Sequence, residues 1–133
     1  MSNIMAAIGR EQLKKIKRFS EIRRSSAEYY IKNLRKNNSI EILDLDYKNI
    51  VPHIFPIKIK LNLRDQLIES FQESNIQFGI HYLPNHTLTY YSVDYSLPVA
   101  ERISKQLISL PLHAELTQSE QDRVLNVIRE SIG

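Results

Sequence analysis

The chain has 133 residues, with eighteen Lys/Arg, fifteen Asp/Glu, no cysteine and a formal net charge of +3. A domain of this length buries roughly two-thirds of its unfolded surface and needs no covalent staple. The absence of thiols excludes disulfides, thiolate catalysis and cysteine-based zinc sites. No stretch approaches the ~20 apolar residues of a membrane span, and the N-terminus has apolar residues before basic ones, the reverse of a secretory signal. A cytoplasmic protein is therefore expected. The charge is uneven: residues 1–36 carry ten Lys/Arg against three Asp/Glu (+7), and the remainder eight against twelve (−4). The basic segment reads either as a face for nucleic acid or another anionic ligand or as the solvated side of an amphipathic helix. No stacking aromatics or nucleic-acid motif accompany it, so a nucleic-acid partner is not expected.

In chain order, the first predicted element is a long helix from about Ser2 to Arg35. Ile8, Ile16, Phe19, Ile22, Ala27, Tyr30 and Leu34 approximate helical spacing along it. Gly9, inside the pattern, costs ~1 kcal/mol relative to alanine and suggests a close backbone approach or a bend. Turn chemistry at residues 36–39 ends the helix. Ile40–Leu43 is either a short strand or an extended linker. Phe55, Ile57, Ile59 and Leu61 alternate with Pro56, Lys58 and Lys60, the period of a strand with one wet face. Pro56 lacks a donor, so this strand should lie at an edge or leave that position unpaired.

A second helix is predicted from about Leu63 to Ser74, capped by Asn62 and burying Leu63, Leu67 and Phe71. IQFGIHY, residues 76–82, alternates as a second strand, which directs His81 away from the side taken by Ile80 and Tyr82. Pro98 suits the first turn of a third helix with Val99, Ile103 and Leu107 on its apolar side. ISLPL reads as a further strand. Thr117-Gln118-Ser119-Glu120 is a capping box opening a last helix that buries Val124, Ile128 and Ile132. The order α-β-α-β-α-β-α predicts an α/β chain folded as a two-layer α+β sandwich, with three or four strands and helices mainly on one face.

The chemistry concentrates in GIHYLPNHTLTYY, residues 79–91. His81 and His86 lack a nearby third ligand, so no metal is expected. No serine sits in a nucleophile elbow, and no phosphate-cradling glycine loop occurs. His53 and His113 read as loop or strand-end residues. Two readings of the segment remain. It is either a pocket wall in which neutral His and Tyr donate hydrogen bonds to a polar or anionic ligand, or an ordinary surface loop.

Several segments together carry a resemblance. MSNIMAAIGREQLKKIKRFSEIRRSSAEYYIKNL, PHIFPIKI, GIHYLPNH with Tyr91, and LPVAERISKQLISLPLHAELT follow one another. In that order they resemble the C-terminal region of the DegT/DnrJ/StrS nucleotide-sugar aminotransferases. The resemblance implies an aspartate-aminotransferase-like fold. There a large N-terminal domain holds pyridoxal phosphate on a Schiff-base lysine, and a small C-terminal α/β domain closes over the site. It implies amino transfer from glutamate to a nucleotide-linked keto sugar, serving O-antigen, lipid A or antibiotic sugar pathways. On this resemblance residues 1–133 form the small domain alone, with residues 1–35 as a linking helix and 36–133 as the sandwich. No catalytic or cofactor-binding residue is then expected in this chain, which should be inactive by itself. Substrate-binding roles pass to His81, Tyr82, His86 and Tyr91, with Asn85 and Thr89 standing where the family favours Leu and Pro. Ile4, Met5 and Ile8 would pack on the large domain. Without it they should be exposed, disordered or engaged in self-association. The alternative function is a stand-alone binding or scaffolding domain whose basic helix takes sugar nucleotides or nucleic acid.

Overall fold

The structure, a computed structural model, describes residues 2–43, 45–47, 49–91 and 95–133. Its helices are α1 (Asn3–Leu34), α2 (Arg64–Glu73), α3 (Pro98–Ser104) and α4 (Gln118–Ile132), and its strands are β1 (Ile40–Ile42), β2 (Phe55–Ile59) and β3 (Leu107–Leu110). Two short 3-10 turns, Asn85–Thr87 and Thr89–Tyr91, lie between α2 and α3. Among the described residues, no helix is long and apolar enough to cross a membrane.

The strands form an antiparallel sheet in the order β1-β2-β3. Cross-strand partners share a face, so Ile40, Ile42, Phe55, Ile57, Ile59, Ile108 and Leu110 turn to one side. Ala27, Tyr30 and Leu34 of α1, Leu67 and Phe71 of α2, and Val124, Leu125, Ile128 and Ile132 of α4 join that side in one buried core. The helices that build the core thus cover a single face, as the pattern predicts. On the other face Lys58 bonds Glu41 at 2.6 Å.

β2 is the central strand, not an edge. Pro56 fits there because of which way its nitrogen points. Ile59 N–H donates to the Gln106 carbonyl and Lys60 N–H to that of Ser39, so even-numbered nitrogens face β1. The β1 register has already ended at the Ile57–Ile42 pair. The missing donor therefore costs no ladder bond.

Several boundaries follow local chemistry. Pro98 opens α3, and α4 carries the full capping box: Thr117 accepts from Glu120 N–H while the Glu120 carboxylate accepts from Thr117 N–H at 2.8 Å. Thr117→Ala should lower stability by about 1 kcal/mol, read as a shifted urea midpoint with an unchanged m-value. α2 is capped differently from the expectation. Leu63, not Asn62, is the N-cap and makes no side-chain bond. Its C-terminus is a Schellman closure: Asn75 takes φ 50°, its N–H reaches the Gln72 carbonyl, and Ile76 N–H reaches that of Phe71 at 2.8 Å.

Two other expectations change. α3 buries no residue, Val99 is exposed, and Leu107 belongs to β3. In α1 only Ser26, Ala27, Tyr30 and Leu34 are buried. Polar ties to α4 gather at that end: Tyr29 OH donates to Asp122 at 2.5 Å and Gln121 Nε2 to the Ser26 carbonyl at 3.0 Å. The front of the apolar stripe is bare, with Ile4, Met5 and Ile8 73%, 58% and 52% exposed. Gly9 has open space where a Cβ would stand, so no close backbone approach explains it; it lines an apolar groove of about 570 Å³ with Met5, Leu13 and Ile16.

Candidate functional site

The segment 76–82 is not a strand. It joins the sheet through one bridge, in which Gly79 and Ser109 exchange both backbone hydrogen bonds at 2.8 and 2.9 Å. The next pairs in that register would be Gln77 with Pro111 and His81 with Leu107. Pro111 has no N–H to give, and the Leu107 carbonyl already accepts from Arg64 Nε at 3.0 Å. Pairing therefore stops after one step on either side, and the chain leaves the sheet as a loop.

This single bridge positions the first histidine. His81 Nδ1 lies 2.9 Å from Ser109 Oγ on the sheet face opposite the core helices. The ring folds back over Gly79. A Cβ at position 79 would stand 2.1 Å from His81 Cε1, so the ring occupies space that only glycine leaves. The His81–Tyr82 peptide is cis, and the Tyr82 ring meets that of His81 edge-on at 4.9 Å.

His81 lines a cleft of about 510 Å³ together with His53, Gln77, Ser109, His113 and Arg123. Three of the four histidines thus share one concavity. Phe78, Leu110, Leu112 and Val124 supply its apolar wall, the mix typical of a small-molecule site. Among the described residues no group of His, Asp and Glu is placed to hold a metal ion.

The other predicted site residues lie apart from the cleft. Tyr82 is 78% exposed. Tyr91 is 59% exposed and meets Tyr90 edge-on at 5.1 Å. His86 is turned inward: its side chain is 10% exposed, and Nε2 lies 3.0 Å from Glu101 Oε1 on α3. The same oxygen accepts from Leu97 N–H at 2.8 Å and Ser96 Oγ at 2.9 Å. These bonds, that from His86 foremost, hold the Glu101 carboxyl below the usual carboxylate range. Ser109 and Glu101 escaped the sequence reading because both partnerships span turns of the fold that no periodicity encodes. His53 and His113 are the loop residues expected, but the cleft they share with His81 was not legible.

Comparison with known proteins now bears on this geometry. The model of the DegT/DnrJ/EryC1/StrS aminotransferase family matches residues 1–129. The chain belongs to this family. A UDP-4-amino-4-deoxy-L-arabinose–oxoglutarate aminotransferase of Shewanella sediminis is 32% identical over 149 aligned positions, covering all of this chain and 38% of the relative. A UDP-4-amino-4,6-dideoxy-N-acetyl-β-L-altrosamine transaminase of Campylobacter jejuni is 28% identical, covering 87% of this chain and 33% of its own length. Among solved structures, NtdA of Bacillus subtilis, with bound cofactor PMP, superposes with a TM-score of 0.87 at 28% identity, covering 99% of this chain and 32% of that one. DesV of S. venezuelae, in complex with a ketimine intermediate, does so at 0.84 and 27%, covering 94% and 35%. The chain spans about a third of the length of the relatives it matches.

The family's chemistry depends on pyridoxal phosphate held by a lysine. Among the described residues, no lysine lines the His81 cleft, the α1 groove, or a third cleft bounded by Arg35, Ile42 and Tyr47. The family cofactor has no candidate seat in these clefts.

Proposed function

We propose that this chain is the small, C-terminal domain of a sugar aminotransferase, and that it forms one wall of a site whose cofactor-bearing wall lies on a large domain. The whole enzyme moves an amino group from glutamate to a keto sugar carried on a nucleotide, in the cytoplasm. Within it, the segment carrying His81, Tyr82, His86 and Tyr91 faces the substrate. Tyr82 and Tyr91 offer exposed hydroxyls, and the His81 cleft adds hydrogen-bonding nitrogens beside an apolar wall. The exposed front of α1 packs on the large domain. One observation carries the reading: a family match that runs nearly end to end through this chain yet covers about a third of each relative.

Two measurements test it. The 133-residue chain mixed with equimolar pyridoxal phosphate should show no specific internal-aldimine absorbance band and no transamination beyond that of the free cofactor, because the described clefts offer no lysine to hold it. Second, this chain should be exchanged for the matching C-terminal third of the Campylobacter jejuni transaminase. The chimera should bind the cofactor and turn over that enzyme's nucleotide sugar at a reduced rate. A soluble, cofactor-loaded chimera with no turnover, or an isolated chain that forms the aldimine, refutes the proposal. Salt-sensitive oligonucleotide binding by the isolated chain would favour the scaffolding alternative instead.

A further inference from the structure

Among the described residues between Tyr82 and Gln106, none is buried. The two 3-10 turns and α3 therefore form a lobe that adds nothing to the apolar core. It nonetheless displays Tyr82, Leu83, Tyr90, Tyr91 and Tyr95 as large exposed side chains. Apolar packing cannot set the shape of such a lobe, so polar contacts must do so.

Most of those contacts are local. Thr87 N–H closes on the Pro84 carbonyl, Leu88 N–H on that of Asn85, and Tyr91 N–H on that of Leu88. These bonds shape the turns but do not connect them to α3. The His86–Glu101 bond does: it joins positions fifteen residues apart at 3.0 Å. His86 is enclosed although its neighbours on the turn are exposed. Glu101 Oε1 gathers three donors at once, from the turn, from Ser96 and from the Leu97 backbone at the start of α3. A carboxylate has no proton to give, so it accepts the hydrogen bond and His86 donates through Nε2–H.

We propose that His86 and Glu101 are a positioning pair, a staple that fixes the two 3-10 turns, the second of which carries Tyr91, against the start of α3. His86 then acts through Glu101, not by touching a ligand. Glu101 is a functional residue that the motif around the histidines does not include. Tyr82 and Tyr91 face substrate only on the function proposed above. The pairing is measured on this chain alone, so the two fail in different experiments.

The test uses nitrogen-15 NMR of the 133-residue chain. The long-range ring correlations of His86 should report a proton on Nε2. Amide exchange at Leu88, Tyr91 and Leu97 should accelerate about tenfold or more in His86→Ala and in Glu101→Ala, as expected for loss of a bond to a charged acceptor. The two substitutions together should add little to either alone at Leu88 and Tyr91. His86→Gln places an amide N–H near the lost Nε2 donor and should restore most of the protection. Exchange in β2 and the thermal midpoint should hold in all variants, which separates a local staple from general stability. Unchanged exchange at Leu88 and Tyr91 in His86→Ala, an Nε2 without its proton, or fully additive effects would each overturn the pairing. So would a His86→Gln variant no better protected than His86→Ala.

Discussion

Phe55→Ala should lower the thermal midpoint on the order of 10 °C or more, or leave the chain unfolded at 37 °C. Phe55 is fully buried in the central strand, opposite Leu110 of β3. Its ring lies 5.2 Å from that of Tyr30 and 5.6 Å from that of Tyr47, which places it between α1 and the loop after β1. Truncation removes the transfer free energy of the ring and leaves a cavity beside two large aromatics, of which Tyr30 is anchored. Tyr30 OH donates to the Pro111 carbonyl at 3.2 Å, so its ring cannot simply move in. Burial also raises the ionisation of both neighbouring phenols above the usual range, so these rings stay neutral at physiological pH. The expected loss is about 3–5 kcal/mol, a large share of the roughly 5–15 kcal/mol available to a domain. Denaturant melts and thermal scans of wild type and variant measure it. A midpoint within about 2 °C of wild type would show that this aromatic row is not the core's keystone.

Replacing Ile4, Met5, Ile8, Leu13 and Ile16 together by glutamine should turn an associating chain into a monomer and remove any dependence of its thermal midpoint on protein concentration. All five side chains are exposed, and none belongs to the core. They lie on the half of α1 that precedes its contacts with α4, and Met5, Leu13 and Ile16 line the groove beside Gly9. An apolar face of this extent is uncommon on a free monomer. An unsupported helical stretch of this length is also marginal in water. Covering it, by the large domain or by another copy, stabilises both the face and the helix. Arg10, Lys14, Lys15, Lys17 and Arg18 lie on the same half of α1. Like charges oppose self-association, so the wild-type chain should associate more tightly as salt rises and screens them. Sedimentation across salt concentrations reads both effects. A wild-type chain that stays monomeric at high salt, or a variant that associates as strongly, would exclude this face as the contact.

The elements themselves were legible because they answer to local rules. The period-two pattern of Phe55, Ile57 and Ile59, the capping box at Thr117 and Pro98 at a first turn each involve residues within a few positions of one another. Family membership was legible for a related reason: its motifs survive as short ordered text along the whole chain. Residues 76–82 show the limit of such reading. Their alternation is that of a strand, yet pairing stops after Gly79 because Pro111 and the Arg64-bound Leu107 carbonyl stand opposite the next positions. The fate of a strand depends on the far partner's free donors and acceptors, and periodicity holds no record of these. The α1 stripe has the same limit, since an apolar face looks alike in sequence whether or not anything covers it.

The candidate site divides along the same line. The amino-acid sequence by itself determined which residue types are present: two histidines and three tyrosines around a proline, in a chain without thiols. It also determined the four helices and the strands around Phe55–Ile59 and Leu107–Leu110. Only the tertiary structure decided that His81 meets Ser109 beside His53 and His113, while His86 turns inward to Glu101 on α3. The reason is physical. A side chain's role is set by the donors and acceptors within about 3 Å of it, and here those come from residues fifteen to twenty-eight positions away, brought near by a bridge and a short helix.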